Sequence, residues 1–210
     1  MLTAFTAGLT LITISELGDK TFFITLCLAM RYPRRWVFIG STLALAAMTV
    51  LSVGLGQIVA LLPKGIAYYS SILLFIVFGL KLIYDAYQMK GGSLADIEQE
   101  ACDTIANSNA DSNIDKMYGA MAIISKAFML TFIAEWGDRT QFATISLAAA
   151  HNPVGVVLGG ILGHAICAAI AVFSGRAIAS HLSEKVITFV GGVLFLIFAG
   201  VTFWEGLPAH

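Results

Sequence analysis

The amino-acid sequence predicts an all-α integral membrane protein, six transmembrane helices arranged as two inverted-topology three-helix repeats. Three observations lead there. Of 210 residues, 58% are hydrophobic and only 12% are charged, against roughly a quarter charged in soluble domains. The apolar residues lie in long continuous runs, not in the short alternating segments of a membrane barrel. Finally, two of those runs are interrupted, 119 positions apart, by nearly the same six residues: Glu16-Leu17-Gly18-Asp19-Lys20-Thr21 and Glu135-Trp136-Gly137-Asp138-Arg139-Thr140.

A helix needs about 20 apolar residues to cross a bilayer, and six such runs can be drawn, near 4–30, 36–61, 66–87, 120–149, 155–178 and 186–206. The first is apolar from Leu2 with no basic segment before it, so it reads as a retained span and not a cleaved signal peptide. Pro33 and Pro63 fall in the connections after the first and second runs, and Asn152-Pro153 marks the turn after the fourth. After the third run comes the one long polar segment, with Asp96, Glu98, Glu100, Asp103, Asp111 and Asp115 against Lys116. The chain therefore divides into a first repeat over 1–90, a flexible acidic linker over 91–118 and a second repeat over 119–210. In the fifth run Gly159 and Gly163 form a G-x-x-x-G pair, expected to bring helices close within the fold.

Orientation follows from the basic residues. Outside the two motifs, Arg31, Arg34, Arg35, Lys81, Lys90, Lys116, Lys126, Arg176 and Lys185 fall on one side, and Lys64 alone on the other. That places the acidic linker in the cytoplasm and both termini outside. The repeat extends beyond the motif: Thr25 matches Thr144, Leu28 matches Leu147, Gly40 matches Gly159 and Val53 matches Val172 at the same offset. With three spans per copy, the second copy enters the membrane from the opposite side. Transporters built this way hold their substrate near mid-membrane, on interrupted helices.

The motifs supply the chemistry. A charge at the bilayer centre costs roughly 2.5–3.5 kcal/mol on insertion scales, and packing gives no reason to place six there. On a helix, Glu16, Asp19 and Lys20 share one face, as do Glu135, Asp138 and Arg139. The glycine of each motif permits an unwound turn, and Thr21 and Thr140 can satisfy the groups it frees. Four carboxylates against one lysine and one arginine leave a formal charge of −2, which one divalent cation or two protons would neutralise. Carboxylates, hydroxyls and carbonyls suit Ca²⁺, Mg²⁺ or Mn²⁺. The candidate metal site is thus Glu16, Asp19, Glu135 and Asp138. Thr21, Thr140, Thr25, Thr144 and Gln141 are further candidate ligands, and Lys20 and Arg139 balance charge.

Other residues carry weaker signals. His164, mid-way along the fifth run, suggests a proton relay, but its repeat counterpart is Leu45, so symmetry gives it no support. Met48, Cys27 and Cys167 offer softer atoms in apolar segments and receive no metal role. Three cysteines without a C-x-x-C spacing indicate neither a disulfide framework nor a zinc site. No basic patch points to nucleic acid, no cofactor is implied beyond the transported ion, and oligomeric state is not legible.

With both motifs complete, and one in each three-helix half around an acidic central loop, the chain resembles the Gdt-type family of manganese and calcium exporters, a group of cation/proton antiporters. The resemblance spans essentially the whole chain. It implies export of Mn²⁺, and also Ca²⁺, from the cytosol in exchange for protons, with the acids of each motif forming the cation site. The compact chain fits a bacterial or cyanobacterial member, in an inner or thylakoid membrane. Three other readings stand beside it: transport of a small organic cation, a passive cation channel, and an intramembrane aspartyl protease. Against the channel, filters usually come from subunit rings. Against the protease, each Asp is followed by a base that would hold it ionised, and Glu16 and Glu135 stand where a G-x-G-D signature has its first glycine.

Overall fold

A computed structural model describes residues 1–88, 99, 101–103, 105, 114–179 and 184–206. Among them the chain is helical, with no strand. In order the elements are α1 (Leu2–Glu16), α2 (Lys20–Arg31), α3 (Arg34–Val59), α4 (Lys64–Gln88), α5 (Ile114–Glu135), α6 (Arg139–Ala150), α7 (Pro153–Ala179) and α8 (Glu184–Glu205).

Four helices, α3, α4, α7 and α8, are long and apolar enough to cross a membrane, and α5 with α6 makes a fifth crossing if that bent pair is one span. The first expected span, 4–30, is instead two helices of 15 and 12 residues separated at Leu17–Asp19. The second motif breaks its run in the same place, with a bend of 75° between α5 and α6. Leu43, Leu51, Leu55, Leu73, Leu80, Ile133 and Phe203 are exposed on the outer faces of their helices. Such a surface suits hydrocarbon, and with the long apolar helices it makes the chain a multi-pass membrane protein.

The packing interleaves elements that are distant in sequence. Helix α1 lies against α7 while α5 lies against α3; α2 touches α7 while α6 touches α3; α3 meets α7, and α4 meets α8. Each of these pairings between 1–90 and 119–210 thus has its counterpart under the 119-residue offset. The closest approaches obey it as well. A Cβ on Gly40 would lie 2.5 Å from the carbonyl oxygen of Ile124, and one on Gly159 would overlap that of Phe5, the residue 119 positions before Ile124. A Cβ on Gly163 would lie 3.0 Å from Thr13 Oγ1 and 3.2 Å from the Leu9 carbonyl oxygen, so the G-x-x-x-G pair serves contacts within the fold, as its spacing predicts.

Two apolar cores flank these crossings. One joins Phe23, Leu28, Val37, Ala127 and Val172; the other joins Leu11, Phe75, Leu147 and Phe195. The first core holds a correction. Cys27 and Cys102 form a disulfide, where the count and spacing of cysteines suggested none. Those signals report local clusters, whereas this bond links positions 75 residues apart. Ala101 and Ile105 beside it are fully buried in the same core. The rest of the expected flexible linker falls mostly outside the described residues.

Candidate functional site

Each motif builds the same local structure. The first helix ends at the glutamate, and the glycine takes a left-handed conformation, φ 77° at Gly18 and 81° at Gly137, which a residue with a Cβ adopts at a cost. The aspartate is then extended and occupies the N-cap position of the next helix: Asp19 before α2, where its side chain makes no capping bond, and Asp138 before α6, where its side chain accepts from Thr140 N–H. The backbone closes identically, with Asp19 N–H donating to the Glu16 carbonyl at 3.2 Å and Asp138 N–H to the Glu135 carbonyl at 3.1 Å. The motif threonine of each copy turns back to the glutamate. Thr21 Oγ1 donates to Glu16 Oε2 at 3.1 Å, and Thr140 Oγ1 to Glu135 Oε2 at 3.3 Å. Continuous helices would have put acids and bases on one face. The break instead puts each glutamate at a helix C-terminus and each aspartate at an N-terminus.

Folding then brings the two breaks together. Glu16, Asp19 and Asp138 each present a carboxylate oxygen, all within 4.8 Å of one another. Arg139 reaches across from the second motif, its Nη2 lying 2.8 Å from Asp19 Oδ1. Arg139 thus balances charge across the two motifs and not only within its own. Lys20 is exposed at the start of α2.

Glu16 and Glu135 are each only 2% exposed. One oxygen of each, Oε1, has no hydrogen-bond partner among the described residues. Burying a bare carboxylate oxygen costs several kcal/mol unless something compensates, so both sites call for a cation or a proton. Asp138 is more committed, since its Oδ2 accepts from the Thr140 backbone N–H at 3.1 Å and, also at 3.1 Å, shares the single Thr140 hydroxyl proton with Glu135.

The remaining predicted residues divide. Thr144 and Gln141 line a small cavity with Glu135, Thr140, Met48, Thr49, Ser52 and His164. Thr144 donates to the backbone carbonyl of Thr140. The Gln141 side-chain oxygen accepts from Gly137 N–H at 2.8 Å and so stabilises the unwound turn from within. Thr25 is bonded to Ser41 and is not among the residues lining the cavity. The sequence offers His164 only as a relay without symmetry support, whereas in the structure its Nδ1 lies 4.0 Å from Glu16 Oε1. Its neighbour Gly163, through the G-x-x-x-G spacing, was the available signal that this stretch of α7 presses on α1.

Comparison with known proteins follows this geometry. The family described as "Divalent cation/proton antiporter GDT1" matches residues 4–90 and 123–210, the parts that carry the two motifs. A GDT1-like protein of Synechocystis is 52% identical over 204 residues, covering 97% of this chain and 98% of its own length. GDT1-like protein 5 of Arabidopsis thaliana is 40% identical, covering 94% of each chain. The chloroplastic Protein PAM71-homolog of the same plant is 40% identical over 95% of this chain, which spans 59% of that longer protein. No solved structure matches the chain.

Proposed function

Because the chain belongs to the GDT1 family of divalent cation/proton antiporters, and is therefore a transporter and not an enzyme, we propose that it exports Mn²⁺, and also Ca²⁺, in exchange for protons. The cation sits on Glu16, Asp19, Glu135 and Asp138, or a subset of them. The observation that carries this reading is the meeting of two distant motifs, with oxygens of Glu16, Asp19 and Asp138 within 4.8 Å of one another. A donor set of carboxylates and hydroxyls suits hard divalent ions.

The cycle exploits the uncommitted oxygens of Glu16 and Glu135. Open to the cytosol, the site loses protons and takes the metal. Open to the other side, protons displace it and the neutral site returns. Either state cancels the excess negative charge. Arg139 holds Asp19 in place and removes one unit of charge, and Thr21 and Thr140 fix the second oxygen of each glutamate.

The architecture we infer is six spans in two inverted repeats, 1–90 and 119–210, with α1–α2 and α5–α6 as the broken first span of each. The reciprocal contacts about the 119-residue offset support it. Alternating access is then the rocking of one repeat against the other. The basic residues support a cytoplasmic central segment with both termini on the far side. The Synechocystis and chloroplastic relatives favour a cyanobacterial inner or thylakoid membrane.

Glu16→Gln and Glu135→Gln test this. Each preserves shape and removes a charge, so each should abolish Mn²⁺ flux while the protein still inserts and purifies as a folded species. Wild-type flux in both variants would sink the carboxylate site.

A further inference from the structure

The carboxylates account for the charge of the site but leave one buried group without a task. His164 is 4% exposed, and its Nδ1 has no hydrogen-bond partner among the described residues. It stands 4.0 Å from Glu16 Oε1, which is equally unpartnered. That distance is too long for a hydrogen bond, and two buried polar atoms facing each other without one call for an explanation. A divalent cation supplies it. Ligand atoms lie about 2.0–2.6 Å from such an ion, so two ligands of one ion stand roughly 3–5 Å apart, and the observed gap fits.

The placement is built into the fold. Gly159 and Gly163 press α7 against the backbone of α1, and Gly160 meets the Thr49 side chain of α3. The next residue after Gly163 is therefore held at the end of α1, beside Glu16. His164 also lines the cavity shared by Glu135, Gln141 and Met48. The 119-residue offset pairs it with apolar Leu45, so the nitrogen enters from one side only.

We propose that His164, through Nδ1, is a ligand of the transported cation together with Glu16, and that it makes the site prefer Mn²⁺ to Ca²⁺. Oxygen ligands alone serve Ca²⁺, Mg²⁺ and Mn²⁺, whereas Ca²⁺ is bound by oxygen and imidazole suits first-row transition metals. One nitrogen among the oxygens is thus a selective element that leaves the charge unchanged. The inference rests on the carboxylate cation site.

The test is pulsed electron paramagnetic resonance of Mn²⁺ added to the purified full chain, read for ¹⁴N coupling. The expected result is ¹⁴N modulation in the wild type that disappears in His164→Leu, a variant carrying the residue found at position 45. Competition between Mn²⁺ and Ca²⁺ should shift toward Ca²⁺ by about tenfold or more in His164→Leu, the lower end of the loss that follows removal of a supporting group in a metal site. His164→Gln, which restores a polar side chain with an oxygen donor, should bind both ions with the same loss of discrimination. Mn²⁺ bound to the wild type without ¹⁴N coupling would overturn the role of His164. If Glu16→Gln then abolished that binding, the carboxylate site itself would stand. Unchanged selectivity in both variants would equally overturn the proposal. Absence of any Mn²⁺ binding by the wild type would remove both readings together.

Discussion

Glu16 and Glu135 occupy the helix end least favourable to a carboxylate, the C-terminus, where the backbone dipole opposes negative charge. Asp19 and Asp138 occupy the favourable end. A purely structural network would have no reason to adopt the first placement twice, which is why the glutamates are the residues assigned to exchange a cation for protons. Asp19 has the structural task as well, through Arg139 at 2.8 Å. Asp19→Asn and Arg139→Gln should each lower the unfolding temperature in detergent, and the double variant should fall short of their sum by about 1 kcal/mol or more, the coupling of groups in direct contact. Additive effects would remove the pair from the account. The four acids are legible in the sequence because charge in an apolar run is costly. Their partners are not, since the Asp19–Arg139 bridge joins residues 120 positions apart and the local spacing favours Glu–base pairs within each motif. His164 is obscured for a different reason: the repeat that reveals the motifs pairs it with Leu45.

At the scale of the elements, glycine decides where helices break and where they touch. Gly18 and Gly137 take left-handed conformations that end α1 and α5. Gly40 and Gly159 admit a neighbouring carbonyl where any Cβ would collide. Gly159→Ala should therefore destabilise the fold by about 1–3 kcal/mol through overpacking, while Gly54→Ala, inside α3 where a Cβ meets nothing within 4 Å, should stabilise it by about 0.5–1 kcal/mol through helix propensity. Equal unfolding temperatures for the two variants would contradict the close approach of α7 to α1. A glycine placed directly before an aspartate inside an apolar run announces a break, and so this much could be read from sequence. The disulfide could not, because nothing local connects Cys27 to Cys102. Digestion without reductant, after thiols are blocked in intact membranes, should yield a linked Cys27–Cys102 peptide; full alkylation of both would contradict the bond. Disulfides persist in oxidising compartments, so the same measurement bears on the side assigned to the central segment by its basic flanks.

For the whole molecule, the fold class follows from composition and run length, and four of the predicted spans correspond to single long helices. The first and fourth do not, since each is broken at its motif, where Gly18 and Gly137 take left-handed conformations. The reciprocal packing of α1 on α7 and α5 on α3 gives the proposed exchange its physical form: two broken helices, one from each half, present their acids to a common centre. The claim that rests on all of this is coupling. Purified protein in sealed liposomes with an imposed pH gradient and a lumenal pH dye, supplied with Mn²⁺ or Ca²⁺, measures it directly. Metal entry that requires the gradient and drives protons the opposite way, and that is lost in Glu16→Gln, is the predicted result. Metal flux indifferent to the gradient and accompanied by no proton movement would contradict the account.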